Sequence, residues 1–258
     1  MLLRASCLLL AVICYLLLGI VPPSSAIVGG YPEEIEAAPW MVSITLQNVG
    51  LICGGVLVSP RLVLTAAYCV FNRRATELSI RVGSKFADRD GYVYYPENII
   101  IHNQFNATIK DYNLALLTLP VVLRESRDVY PVKIREATEY LPVGSQCIIS
   151  GYGSTDAFNP QAFKGLKSAM VRVLDRENCA QRMYPWAVTP SMMCASGNGE
   201  DGCAGDGGGP LICAGKLTAI ISWGKGCGRD EGIGVYADLT SSRRWMTDYG
   251  VPYIQYQR

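Results

Sequence analysis

The sequence predicts a mostly β fold, and three observations carry that prediction. Short β-branched and aromatic runs recur, each bounded by Gly, Pro, Asn or Asp. Long stretches with helical periodicity are scarce. Half of the 258 residues are apolar, only 17% are charged, and Gly numbers 26, a composition that excludes a disordered or collagen-like chain. Spacing of this kind belongs to barrels or sandwiches.

Runs that read as strands are Trp40–Leu46, Ile52–Val58, Leu62–Ala66, Leu78–Val82, Ile99–Ile101, Leu114–Leu119, Gln146–Ile149, Ala169–Leu174, Leu211–Trp223 and Gly234–Ala237. Asp175–Gln181 reads as one short turn of helix. Ser241–Tyr249 reads as another, with Ser241 and Ser242 offered as caps. No repeat or low-complexity linker interrupts the chain. A modest boundary falls near Glu125–Val132, where charges and Pro131 break the strand pattern.

The first 26 residues read as a targeting segment. Arg4 supplies a basic start, and Leu8 to Val21 forms an apolar run of 14 residues. That run is short for a membrane span, which needs roughly 18 or more. Pro22 and Pro23 break it, and Ser24 and Ala26 place small residues before a cut at Ile27. An uncleaved anchor is the alternative. Removing residues 1–26 takes away one Arg and no acid and leaves the charges balanced. A neutral body offers no electrostatic footprint for nucleic acid or an anionic membrane.

Of ten Cys, Cys7 and Cys14 leave with the targeting segment. The eight others are an even count after a secretory signal, which implies disulfides in an oxidising compartment. Spacing alone does not choose their pairing. Zinc is the poorer reading, because there is no CxxC pair and a single His. No metal or cofactor is expected.

Ordered motifs then narrow the class. They are Ile27-Val28-Gly29-Gly30, Cys53-Gly54-Gly55-Val56-Leu57, Leu64-Thr65-Ala66-Ala67-Tyr68-Cys69 and Asn113-Leu114-Ala115-Leu116-Leu117. The segment from Cys203 to Leu211 (CAGDGGGPL), Ser222-Trp223-Gly224 and Gly234-Val235-Tyr236 follow. Each motif is weak alone. In this order, with Cys in register, they resemble the chymotrypsin/trypsin family of serine proteases from Ile27 to the C-terminus. The resemblance implies two six-stranded antiparallel β-barrels, at about 27–130 and 131–240, with a cleft between them and a C-terminal helix. It implies the pairs Cys53–Cys69, Cys147–Cys213, Cys179–Cys194 and Cys203–Cys227.

The chemistry departs from that family. Acyl transfer of this kind needs a hydroxyl nucleophile, an imidazole to take its proton and a carboxylate to hold the imidazole. The imidazole slot of T-A-A-H-C holds Tyr68, the carboxylate slot of D-[IL]-A-L-L holds Asn113, and the hydroxyl slot of G-D-S-G-G-P holds Gly207. The single imidazole, His102, lies 34 residues past Tyr68, in a segment resembling a strand end away from the cleft. A phenol is a poor base, since its pKa lies near 10. Asp111, two residues before Asn113, would orient a group that is absent. The expectation is therefore a protein that cleaves no peptides.

Other family features persist. Gly205 and Gly207 would keep backbone N–H groups at the oxyanion hole. Asp201, Gly224 and Gly234 match the floor and walls of a pocket for Arg or Lys, either still open or closed by a neighbour such as Tyr68 or Lys225. Ile27 and Asp206 match the pair in which a new N-terminal ammonium orders the pocket loops, and a cut after Ala26 would release that amine directly. Val82–Tyr95 lacks the acidic calcium loop of trypsins. Asn106-Ala107-Thr108 is a glycosylation sequon. Tyr92, Tyr94 and Tyr95 form a cluster that could be a binding patch or plain barrel surface.

The reading is a secreted, monomeric, inactive homologue that acts by binding. It would be similar to inactive immune-cascade homologues of insects and inactivated protease paralogues of parasitic mites. The resemblance implies a modulator, decoy or inhibitor in a protease cascade, with host complement or clotting as candidates for a parasite protein. Alternatives are a carrier of a peptide or small ligand in the old cleft, and a hydrolase of unusual mechanism.

Overall fold

In the computed structural model, residues 27–154, 165–197, 199–227 and 232–252 are described. Residues 1–26, read above as a targeting segment, lie outside them. Among the described residues fourteen strands form two seven-stranded sheets, antiparallel throughout.

The first sheet comprises β2 (Met41–Leu46), β3 (Gly50–Ser59), β4 (Leu62–Thr65), β5 (Leu78–Val82), β6 (Tyr92–Tyr94), β7 (Asn98–Ile101) and β8 (Ala115–Thr118). Its order is β6-β5-β2-β3-β4-β8-β7, so it curls without a hydrogen-bonded seam between β6 and β7. Period-2 burial explains β5: Leu78, Ile80 and Val82 point inward while Ser79 and Arg81 are half-exposed.

The second sheet comprises β9 (Gln146–Gly151), β10 (Lys167–Val173), β11 (Met192–Ser196), β12 (Pro210–Cys213), β13 (Lys216–Gly224) and β14 (Ile233–Asp238). These six close into a barrel, because β10 pairs with both β9 and β11. The expected pair of barrels is thus present, one closed and one curled. Its seventh strand, β1 (Tyr31–Pro32), comes from the start of the described chain and pairs with β10 at Ser168 and Lys167.

Several expected elements need correction. The single run Leu211–Trp223 is two strands, because Ala214 (φ 50°) and Gly215 (φ 74°) both adopt left-handed backbone and make a two-residue hairpin turn. Strands β1, β6 and β11 went unpredicted; the first two are only two and three residues long. Helix α1 (Ala67–Val70), a single turn, also went unpredicted, whereas α2 (Arg176–Met183) matches expectation with Asp175 Oδ1 accepting from Asn178 N at 2.9 Å. The C-terminal helix α3 (Arg243–Asp248) starts later than expected and is not capped by the Ser side chains. Residues Leu239–Ser242 form a 3-10 turn instead, capped by Asp238 through Thr240 N at 2.9 Å, while Ser241 Oγ donates to Asp238 O.

The two ends of the chain cross over between barrels. Ile27 sits in the second core with Ile149, Leu211 and Tyr236. Trp245 and Met246 of α3 pack into the first core with Leu117 and Leu119. Four disulfides pair Cys53–Cys69, Cys147–Cys213, Cys179–Cys194 and Cys203–Cys227, the set the resemblance implies. Closing loops of 15 to 66 residues, each contributes about 2–4 kcal/mol. No helix among the described residues is long and apolar enough to cross a membrane.

Candidate functional site: a cleft filled by Tyr68

Tyr68, Asn113 and Gly207 lie far apart in sequence, yet the barrels bring them together. Tyr68 sits on α1, directly after β4, and its neighbour Cys69 ties that turn to Cys53 on β3. Asn113 precedes β8 and is fully buried. Its Oδ1 accepts from Tyr68 N at 2.9 Å, and its Nδ2 donates to Ser222 Oγ on β13 at 2.8 Å. A carboxylate at this depth needs a positive partner to offset lost hydration. Beside a neutral phenol, the neutral amide satisfies these two neighbours without a buried charge.

Gly207 is fastened across the cleft, its carbonyl accepting from Gly54 N at 2.8 Å. A methyl built on Gly207 would stand 1.7 Å from the Tyr68 hydroxyl and 2.8 Å from ring carbon Cζ. The phenol therefore occupies the space that a side chain at position 207 would need. Burial, with a smaller contribution from Asp206, pushes the Tyr68 pKa up to about 12. One flank of the ring is open, with 39% of the residue exposed, so the enclosed end is the hydroxyl. Lys110 Nζ lies 4.9 Å from the ring centroid, a cation–π contact.

The loop around Gly207 is shaped by its glycines. Gly205 (φ 95°) and Gly208 (φ 85°) adopt backbone that side chains disfavour, and a methyl on Gly208 would collide with Thr65 and Gly54. Gly208 N donates to Ile221 O and Gly209 N to Asp206 O. Among the described residues the N–H groups of Gly205 and Gly207 have no acceptor. Both of the oxyanion-hole donors expected from the sequence are thus uncommitted.

Asp206 is fully buried and accepts from Gly153 N at 2.7 Å and Cys203 N at 2.9 Å. Burial raises its pKa to about 7, against the opposing pull of these two donors, and nearby Asp201 raises it further. Glycine is required at 151 and 153, where any side chain would run into the Asp206 carboxyl. Asp201 is buried and exchanges backbone hydrogen bonds with Val28, at 3.0 and 3.2 Å. Gly234 lies under the Tyr236 hydroxyl, and Gly224 lies against Ile233 O. Asp201, Asp206 and Tyr236 share one buried neighbourhood, since both carboxyls help to drive the Tyr236 pKa upward after burial itself.

His102 is elsewhere. It follows β7, is buried, stacks on Tyr112 and meets the Trp245 ring at a 47° tilt, with centroids 4.8 Å away in each case. Its Nδ1 accepts from Gln104 N at 3.2 Å, and burial lowers its pKa despite Asp111. Asp111 is also committed, accepting from the hydroxyls of Thr189 and Ser191 and from Tyr112 N. It therefore staples the first barrel to the segment before β11.

Sequence reasoning missed the cavity beside this centre. About 600 Å³ in volume, it is lined by Ile109, Lys110, Pro185, Trp186, Trp223 and Lys225 among others. The signal was present as two Trp and two Lys, but they are spread over more than 100 residues. In the segment Val82–Tyr95 a cation holds the loop together. Arg81 reaches into that loop and donates to the carbonyls of Ala87, Asp88 and Asp90, so a guanidinium gathers the loop. No cluster of three potential metal ligands occurs among the described residues.

Two β-barrels, a cleft between them and the paired Cys203–Cys227 loop define the chymotrypsin-like class of serine-protease folds. A model of the trypsin family matches residues 27–246, and the chain belongs to that family. It is 36% identical over 225 residues to hypodermin-B of Hypoderma lineatum, covering 86% of each chain. It is 35% identical over 248 residues to the vitellin-degrading protease of Bombyx mori, covering 92% of each. The solved structure of neuropsin, a serine protease expressed in the limbic system of mouse brain, superposes with a TM-score of 0.78 at 32% identity, covering 86% of this chain and 99% of that one.

Proposed function

We propose that this trypsin-family protein is secreted and works by binding, as a modulator, decoy or inhibitor within a proteolytic cascade, without cleaving its partner. One observation carries the reading: the Tyr68 hydroxyl fills the space at Gly207 where a nucleophile would stand. With a pKa near 12 the phenol stays protonated at neutral pH and takes no proton from an attacking group. The imidazole of His102 is buried between Tyr112 and Trp245. Loss of the triad leaves related clefts about 10³–10⁴-fold over water, far below the 10⁶-fold or more of working enzymes. The test is incubation with a fluorophosphonate probe and a fluorogenic arginyl ester. Labelling that disappears on prior denaturation, or turnover above blank, overturns the reading. The variant carrying Tyr68→His, Asn113→Asp and Gly207→Ser together serves as the positive control.

Secretion would also set the conformation. Ile27 is fully buried in the second core, and the residue before it is Ala26, which offers a trypsin-like activator nothing to cut. Signal peptidase cleavage at this bond would free the Ile27 amine beside the Asp206 loop, so the protein would leave the cell with no zymogen stage. N-terminal sequencing should begin at Ile27; a start at Val21 or earlier refutes this.

A further inference from the structure

We infer that the cavity beside Tyr68 takes an acidic, aromatic-bearing linear peptide, a recognition preference that rests on the non-catalytic reading above. Its described lining holds Lys110 and Lys225 and no carboxylate. Neither lysine forms an ion pair among the described residues. Elsewhere on this surface several cations are answered: Arg61 by Glu97, Lys85 by Glu34, Lys216 by Glu139, Arg243 by Glu136. Two unanswered cations in one cavity of an otherwise balanced protein make a local positive field.

The apolar half of the cavity supplies contact area. Trp186 is 53% exposed and follows Pro185, so its ring is presented rather than packed away. Trp223 is partly buried and adds a second aromatic side chain to the same lining. Lys110 connects this cavity to the old catalytic centre, because it lines the cavity and also lies over the Tyr68 ring. A carboxylate-bearing chain running from Trp186 to Tyr68 meets aromatic faces and two ammonium groups. A basic chain meets the same faces with its charges repelled.

The test uses the secreted protein and two fluorescein-labelled hexapeptides read by anisotropy: Asp-Glu-Pro-Trp-Glu-Glu and Lys-Lys-Pro-Trp-Lys-Lys, both capped. The acidic peptide should bind at least tenfold more tightly, and binding should weaken as salt rises to about 0.5 M. Lys110→Glu and Lys225→Glu should each weaken it on the order of tenfold. Lys133→Glu, outside this cavity, should leave it unchanged. The doubly reversed variant should now prefer the basic peptide, a gain that misfolding does not produce. Equal binding of both peptides, or indifference to the two reversals, overturns the inference. Mass spectrometry of the same samples keeps the two readings separate. Cleaved peptide sinks the non-catalytic reading, and intact but unbound peptide sinks only the charge preference.

Discussion

Tyr68 and Gly207 form a sterically matched pair, and a double-mutant cycle can measure the match. Gly207→Ala places a methyl 1.7 Å from the Tyr68 hydroxyl, so one of the two must move. The peptide at 207 resists, because its carbonyl is bonded to Gly54 N and its neighbours to Ile221 and Asp206. The ring must therefore swing toward its open flank, leaving the Lys110 contact and exposing its buried end. Overpacking of this kind costs about 1–3 kcal/mol. In a domain of this size that lowers the melting temperature by roughly 2–4 °C per kcal/mol. In a Tyr68→Ala background the same methyl enters vacated space and should cost almost nothing. The cycle, run by urea denaturation with the disulfides intact, should give a coupling of about 1–3 kcal/mol. Additive effects of the two substitutions would show that the phenol does not hold that space.

Asp206 makes stability depend on pH. Its folded pKa, about 7, lies above its ordinary 3.8, so the folded chain holds the extra proton between those values. In a chain extended ahead of Ile27, stability should fall by about 4 kcal/mol as pH rises from roughly 4 to 7, and Asp206→Asn should flatten the slope. A chain beginning at Ile27 should show a smaller fall, because a free ammonium favours the carboxylate; identical slopes would refute the pairing. Arg81→Met removes the donor that gathers three loop carbonyls. It should open the bond after Arg89 to added trypsin, read by limited proteolysis; unchanged resistance would deny Arg81 that role. Asn106 is exposed, and its Oδ1 accepts from Thr108 N at 2.9 Å in a surface turn. Secreted protein should lose mass on treatment with an amidase specific for N-glycans, and Asn106→Gln should abolish that shift.

Much of the fold was legible in the residues because its signals are local. Alternating burial in β5, the apolar run of β4 and the turn-bounded strands of the second barrel can each be read within a few positions. The hairpin between β12 and β13 was missed because Ala214 carries no turn signature, although it takes left-handed backbone. Strands β1 and β6 were missed because two or three residues hold no period to detect.

The residues at positions 68, 113 and 207 are plain in the chain, so the sequence alone determined that a phenol, an amide and a glycine stand there. Three-dimensional packing decided how they meet. Only the approach of two barrels puts a phenol from α1 against a glycine more than a hundred residues away, while the pairing of β4 with β8 in the first sheet sets Asn113 to hold the Tyr68 backbone. The same approach gathers Lys110, Trp186, Trp223 and Lys225 around one cavity. Short-range propensity cannot encode such distances, because they depend on how two finished barrels settle against each other.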